Sequence, residues 1–174
     1  MTVRHSRGFS LMEIAIALAL AGMVVLVIGA LFIGSLNAWR RGQDLREAQA
    51  MAGTLVDTVA RDIRGASQAP NVVIRPQIPL VEGEALLAVA ASPAVGKGGS
   101  GWVVFSHVPQ RRQVVRHIIE TVDGRLVPTQ SRLVASGVTR VTVEPASGGV
   151  MIEAEVRWGR AIGTARVTAA PRNP

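Results

Sequence analysis

The chain of 174 residues contains no cysteine and no tyrosine, one lysine, and only 3% aromatic residues. Because cysteine is absent, disulfide bonds, thiolate catalysis and cysteine-ligated zinc are excluded. The scarcity of aromatic rings argues against a binder of single-stranded nucleic acid, which stacks bases on such rings. Acidic residues are also few, 12 against 19 basic residues, so the formal net charge is +7. The length suits one domain, or one domain with an appendage, and excludes a large multidomain enzyme.

Charge is missing altogether from residues 14–36, a run of 23 residues dominated by Ile, Leu, Val, Ala and Met. As a helix this run would be about 34 Å long, enough to cross the ~30 Å hydrocarbon core of a bilayer. A chain this small has no core that could surround such a helix. A secretory signal peptide has a shorter apolar region and a small-x-small cleavage site, which this run lacks. We therefore predict one transmembrane helix that stays in the mature protein.

Basic residues flank the apolar run on both sides. Arg4 and Arg7 precede it, and Arg40 and Arg41 follow it, so the positive-inside rule is nearly neutral. Since the large polar remainder must lie on one side of the membrane, we expect the short N-terminal tail on the cytoplasmic side.

Glu13 is anomalous because it stands at the head of the apolar run, where a carboxylate is costly unless it is paired. The spacing Ser10-x-x-Glu13 is typical of a capping box, in which each side chain bonds the backbone N–H of the other. An acidic residue in the first turn also suits the helix dipole. The residues alone therefore allow Glu13 to be a helix cap at the membrane interface.

The residues before the run form a recognisable string. A short basic leader is followed by Gly8, Phe9, Ser10, Leu11, Met12 and Glu13, and then by about twenty apolar residues. This string resembles the class III signal of type IV prepilins and type II secretion pseudopilins, whose consensus is Gly, Phe, Thr or Ser, two apolar residues and Glu. The resemblance is firm over residues 7 to about 36.

The resemblance implies a role for three of these residues. A prepilin peptidase would cut between Gly8 and Phe9 and would then N-methylate the new amine of Phe9. Glu13 would pair with the Phe9 amine of a neighbouring subunit in an assembled fibre. An unpaired carboxylate in apolar surroundings favours such neutralisation by a cation. This pairing role is compatible with the capping role.

Beyond Arg41 the sequence becomes amphipathic. Gly65 can end a helix there, and Pro70 cannot continue it. We predict one helix over residues 9–66, membrane-spanning over about 14–36 and amphipathic over about 43–65. Its apolar face is indicated by spacings of three and four between Leu45, Ala48, Ala52, Leu55, Val59 and Ile63. Before its amphipathic part, the predicted helix contains four glycines: Gly22, Gly29, Gly34 and Gly42. Close packing against another helix, or local melting of the helix on assembly, would explain them.

Residues 67–101 carry four prolines and a glycine-rich segment, and we predict loops there. Alternation of apolar and polar residues, clearest over 150–158, then indicates half-buried strands. Further strands are predicted at 102–108, 113–122, 138–144 and 161–169, with hairpin turns at 123–124 and 148–149. The predicted fold class is α+β: a long N-terminal helix packed on an antiparallel sheet or two small sheets, the pilin-like layout that the resemblance implies. The predicted organisation is a leader peptide (1–8), the helix (9–66) and a β-rich periplasmic domain (67–174).

Residues suited to catalysis or metal binding are sparse. His107 and His117 fall in predicted strands, and no third ligand stands at a zinc-binding spacing. Glu153 and Glu155 share one strand face, which we interpret as a solvated face. We predict neither a cofactor, a metal nor an enzymatic activity.

Arg111, Arg112 and Arg116 cluster around a predicted turn. They could contact phosphates if the chain belonged to a DNA-uptake fibre. The favoured interpretation is a solvated loop in an arginine-rich protein.

Departures from the family's patterns narrow the subunit type. Many major type IV pilins have a proline where this chain has Ala30, and they close a C-terminal loop with two cysteines. The major pseudopilin has an Asp-containing calcium loop near its C-terminus, whereas no acidic residue follows Glu155. Residues 133–173 look most like J-type minor pseudopilins and W-type minor pilins.

The resemblance thus implies a minor pilin or pseudopilin, a structural subunit that takes part in initiating a type II secretion pseudopilus or type IV pilus. Its expected location is the bacterial inner membrane, single-pass, with the C-terminal domain in the periplasm. Its expected partners are other major and minor pilins or pseudopilins, the prepilin peptidase, the inner-membrane assembly platform and membrane lipid. Two alternatives stay open: an uncleaved, membrane-anchored periplasmic binding module, and a DNA-uptake pilin subunit, with DNA as a disfavoured partner.

Overall fold

The computed structural model describes residues 10–66, 72–79, 81–90, 101–123 and 125–171. A single helix of 55 residues, α1 (Leu11–Gly65), opens this part of the chain. It begins two residues after the predicted start at residue 9 and ends one residue before the predicted end at residue 66. The helix runs through two compact units, Met1–Gly42 and Gln43–Pro174.

In the first unit, the described residues form the N-terminal part of α1, where every large apolar side chain from Leu11 to Trp39 is exposed. Among the described residues, α1 is the one helix long and apolar enough to cross a membrane, and none of its most apolar window is buried. Contiguous exposed apolar surface of this kind marks a site for membrane or protein contact. This part of the helix therefore requires an apolar surrounding.

In the second unit, α1 buries one face, and five of the six residues predicted for that face are buried. Leu45 is the exception, with 41% of its surface exposed. It precedes Ala48, the first buried residue of the helix. The prediction is therefore wrong only at the start of the apolar face.

Eight strands follow α1 in the described segments, all in antiparallel pairs. Five form one sheet in the order β1-β2-β3-β4-β5, and three form a second sheet in the order β6-β7-β8. The strands are β1 (Val72–Ile74), β2 (Glu84–Ala90), β3 (Gly101–Val108), β4 (Gln113–Val122), β5 (Arg125–Ser136), β6 (Val138–Ala146), β7 (Gly149–Trp158) and β8 (Ala161–Ala169).

Five of these strands, β3, β4, β6, β7 and β8, were predicted to within two residues. Strands β1 and β2 lie where loops were predicted, and β5 was not predicted. Strand β2 is rich in alanine, a poor strand former, and its five successive buried residues give no alternation. Strand β5 is exposed over its first nine residues and contains Pro128, so it carries neither an alternating pattern nor an uninterrupted run.

The main core lies between the second part of α1 and residues of both sheets. Its largest fully buried side chains include Leu55 and Ile63 of α1, Leu87 of β2, Phe105 of β3 and Ile152 of β7. A second, smaller core lies apart from it and is formed by Val81, Ala85, Ala88, Val104 and Ile119.

Strand β8 approaches the backbone of α1 closely at Gly163. A Cβ atom at this position would lie 2.6 Å from the carbonyl oxygen of Ala48, and closer still to the Ala48 carbonyl carbon and the Gln49 amide nitrogen. Only a residue without a side chain fits between these two elements.

Candidate functional site

The start of α1 forms the capping box predicted from the sequence. The backbone N–H of Glu13 donates to Ser10 Oγ at 3.2 Å, and the backbone N–H of Ser10 donates to Glu13 Oε2 at 3.3 Å. The Ser10 N–H, for which the helix offers no acceptor, is thereby satisfied, and the Glu13 N–H, which also donates to the Ser10 carbonyl oxygen at 3.0 Å, gains a second acceptor. Gly8 and Phe9, the predicted processing residues, lie outside the described residues.

The Glu13 carboxylate keeps an accepting oxygen. Only Oε2 is used by the cap, and Oε1 has no hydrogen-bond partner among the residues that the structure describes. Its helical neighbours Met12 and Ile14 are exposed apolar side chains. If an apolar surrounding covered this turn, the charge would require a cationic partner. The arrangement can therefore cap the helix and bind a cation at the same time.

The predicted arginine cluster does not form one basic patch. Arg111 lies 3.3 Å from the Glu82 carboxylate, and both side chains are more than half exposed. Arg112 occupies the turn between β3 and β4 with φ of 51°. Arg116 lies in β4, where its Nε donates to Asp62 Oδ2 of α1 at 2.6 Å. Two of the three guanidinium groups are thus engaged by carboxylates, and DNA contact stays a prediction.

Arg116 belongs instead to a cleft between α1 and strands β4 and β5. The cleft has a volume of about 370 Å³. Arg132 of β5 lies directly opposite Arg116 in the strand register. The lining consists of Thr54, Thr58, Arg61, Asp62, Arg116, Arg132, Leu133 and Val134. Sequence analysis missed this cleft because no local pattern identified β5, whose register brings the two arginines together.

His117 is buried and contacts two serines, the buried Ser106 and the exposed Ser131. The distance from its Nε2 to Ser106 Oγ is 2.9 Å, and from its Nδ1 to Ser131 Oγ 2.8 Å. Burial lowers the pKa of His117, and the nearby Glu82 carboxylate opposes this shift. Ser106 is fully buried, so a substrate could not reach its hydroxyl. These contacts hold β3, β4 and β5 together.

The other candidate residues are engaged locally. His107 Nε2 lies 3.3 Å from the carbonyl oxygen of Val138, at the start of β6. Glu155 Oε1 accepts a hydrogen bond of 2.6 Å from Thr139 Oγ1, while Glu153 is exposed on the same strand. Within the described segments, no group of three His, Asp or Glu residues could hold a metal ion.

Comparison with known proteins gives no relative. No protein-family model, curated protein or solved structure matches the chain. The function must therefore be argued from the residues and their geometry.

Proposed function

We propose that the chain is a minor pilin or pseudopilin, a non-enzymatic subunit of a type II secretion pseudopilus or type IV pilus. The observation that carries the proposal is the capping box of Ser10 and Glu13 at the head of α1, whose first part is apolar and exposed. This box directly follows Gly8 and Phe9, the pair at which the resembling families are processed. The expected fold is the pilin-like form of the α+β class.

The exposed first part of α1 suits a subunit both before and after its assembly into a fibre. Before assembly, the first part of α1 would span the bacterial inner membrane, since its uncharged run exceeds the ~20 residues that a bilayer requires. After assembly, the same surface would pack against the helices of neighbouring subunits. The unit of residues 43–174 would then lie in the periplasm, at the tip of the fibre. Partners would be other pilins or pseudopilins, the prepilin peptidase and the membrane assembly platform.

The free oxygen of Glu13 supports a role in assembly. Oε2 is used by the cap, so Oε1 is the oxygen that could receive the N-methylated amine of Phe9 from a neighbouring subunit. In apolar surroundings, separating the two members of such an ion pair would leave an uncompensated charge, which is strongly unfavourable. Glu13 would therefore fix the axial position of one subunit relative to the next.

The first test is the mass of the intact chain isolated from membranes of cells with an active prepilin peptidase. We expect a chain that begins at Phe9 and carries one added methyl group on its amine. Gly8→Leu is the matched control and should leave the leader attached, because a side chain hinders approach of the peptidase to this bond. A wild-type chain that keeps residues 1–8 would contradict the proposal and favour the uncleaved, membrane-anchored binding module.

The second test separates the two roles of Glu13. Glu13→Gln can keep the capping box but removes the charge, whereas Ser10→Ala removes one capping bond and keeps the charge. Glu13→Val removes both features. We expect all three variants to insert into the membrane, and Glu13→Gln and Glu13→Val to be lost from complexes with other subunits in cross-linking experiments. Normal incorporation of Glu13→Gln together with failure of Ser10→Ala would refute the pairing role and leave Glu13 as a cap.

A further inference from the structure

Two arginines face each other in the five-stranded sheet. Arg116 of β4 and Arg132 of β5 are register partners. Cβ atoms of opposite residues are about 5 Å apart, and like charges in such positions destabilise a strand pair. A carboxylate near both guanidinium groups would remove this penalty.

Asp62 provides a carboxylate for only one of the two. It holds Arg116 through Nε at 2.6 Å and through a longer contact of 3.4 Å to the second nitrogen. Both side chains of this pair are 20% exposed. Arg132 makes no hydrogen bond or ion pair with any residue that the structure describes. Of the facing pair, Arg116 is therefore bound to a carboxylate, whereas the N–H donors of Arg132 are free.

The cleft also has an excess of positive charge. Its lining includes Arg61, Arg116 and Arg132 against Asp62 alone, which leaves a formal charge of +2 (three minus one). The lining holds no second carboxylate; Asp57, one turn before Arg61 on α1, lines an adjoining cleft that shares Arg61. All 12 acidic residues of the sequence lie in the described segments, and Asp62 is the one that lines the cleft. A carboxylate side chain beside Arg132 must therefore come from another molecule.

The shape of the surface suits a polypeptide. A second cleft of about 280 Å³ adjoins the first, since both are lined by Thr54, Leu133 and Val134. It continues along β5 to Ser136 beside Ala50 and Met51 of α1. Among the described strands, β5 is at the edge of its sheet, and edge strands present backbone groups to an extended chain. Together the two clefts form a groove with an arginine-rich end and an apolar end.

We propose that this groove binds an extended acidic segment of another protein. A carboxylate of the segment pairs with Arg132, assisted by Arg61, and the adjoining residues lie along β5 toward Ser136. The carboxylate of Asp62 beside Arg116 disfavours a dianion such as phosphate. The inference goes beyond the proposed fibre subunit and does not depend on it, because every residue involved belongs to the unit of residues 43–174.

The test measures binding of two labelled peptides to the full chain in dodecyl maltoside by fluorescence anisotropy at low salt. The peptides are Ser-Val-Glu-Val-Glu-Val-Ser and its twin with Gln for both Glu residues. Their alternate residues lie on one face when the peptide is extended. We expect the Glu peptide to bind about tenfold more tightly than the Gln peptide, the size of effect expected from a charge-assisted hydrogen bond.

Two variants of the same strand assign this preference to the groove. Arg132→Gln should reduce affinity for the Glu peptide about tenfold, while Arg125→Gln, an equal loss of charge at an exposed site outside the groove, should change it less than about twofold. Arg132→Lys should retain part of the affinity, because it keeps the charge without the planar fork. Circular dichroism of each variant verifies that the sheet is intact.

Several results would overturn the inference. Equal losses in Arg132→Gln and Arg125→Gln would mean diffuse attraction by a basic surface. If inorganic phosphate binds through Arg132 and neither peptide binds, the groove is a site for small anions. Self-association of the full chain that Arg132→Gln abolishes would assign the groove to a second copy of the chain.

Discussion

Substitution of Gly163 by alanine tests how tightly β8 is held against α1. The added Cβ would lie 2.6 Å from the Ala48 carbonyl oxygen, whereas non-bonded heavy atoms are comfortable at about 3.5 Å. One of the two elements must therefore move by roughly 1 Å. The atoms in the way belong to the backbone of Ala48 and Gln49, so no side chain can rotate aside. Overpacking of this kind costs about 1–3 kcal/mol, and we expect the upper half of that range.

The assay is urea unfolding of the full chain in dodecyl maltoside, followed by tryptophan fluorescence. Gly53→Ala is the control, because Gly53 lies in the same helix and an added Cβ would meet no atom within 4 Å. It should raise the free energy of unfolding by about 0.5–1 kcal/mol, since alanine favours a helix over glycine. In a melt, the loss in Gly163→Ala should appear as a fall in Tm of roughly 5–10 °C. Gly163→Ala with the stability of the wild type would show that β8 and α1 are not in direct backbone contact in solution.

Two further predictions concern buried charge. Asp62→Ala should lower the free energy of unfolding by about 1–3 kcal/mol, because Arg116 is left half-buried without its carboxylate. Glu82→Ala breaks an exposed ion pair and should change the free energy of unfolding little. Equal effects of the two substitutions in urea unfolding would refute this distinction. Burial lowers the pKa of His117 from 6.5, so the folded state binds fewer protons than the unfolded state, and stability should be full above pH 6.5 and fall below it. His117→Gln should flatten that fall below pH 6.5, and an unchanged slope would mean that protonation of His117 is not coupled to unfolding.

Much of the fold follows from residue patterns that act locally. The run of 23 uncharged residues and the spacing of Leu55, Val59 and Ile63 determine α1, because both depend only on neighbours along the helix. The alternation in β7 is equally local, since residues two apart share a face of a strand. The capping box was also predictable, because Ser10 and Glu13 are three residues apart. The long helix and five of the eight described strands could therefore be predicted from the sequence.

The groove could not be predicted, because it depends on contacts distant in sequence. Arg116 and Asp62 are 54 residues apart, and the pairing of Arg116 with Arg132 depends on the register shift between Ile118 and Ile119, which lies between this pair and the β4–β5 turn. Pro128, the partner of Ile119, stands at this shift, but a proline alone does not specify the new register. Strand β5 was missed for a related reason: an exposed edge strand needs no apolar face, so its sequence shows no period. The register between β4 and β5 could not be predicted from local patterns, and this register brings Arg116 and Arg132 together.

The exposed Leu45 shows where an apolar surrounding of α1 must stop. Residues 40–47 contain five charged side chains among eight positions, namely Arg40, Arg41, Asp44, Arg46 and Glu47. A lipid or fibre core that covered this band would have to neutralise each charge at a cost of several kcal/mol. The β-rich unit reaches only part of the band: Asp44 is half-buried beside Gly159 of the β7–β8 turn, and the first buried residue of the helix is Ala48. Leu45 thus stands at the margin of the part of α1 that packs on the β-rich unit, and its apolar spacing reflects the helix period rather than a buried position.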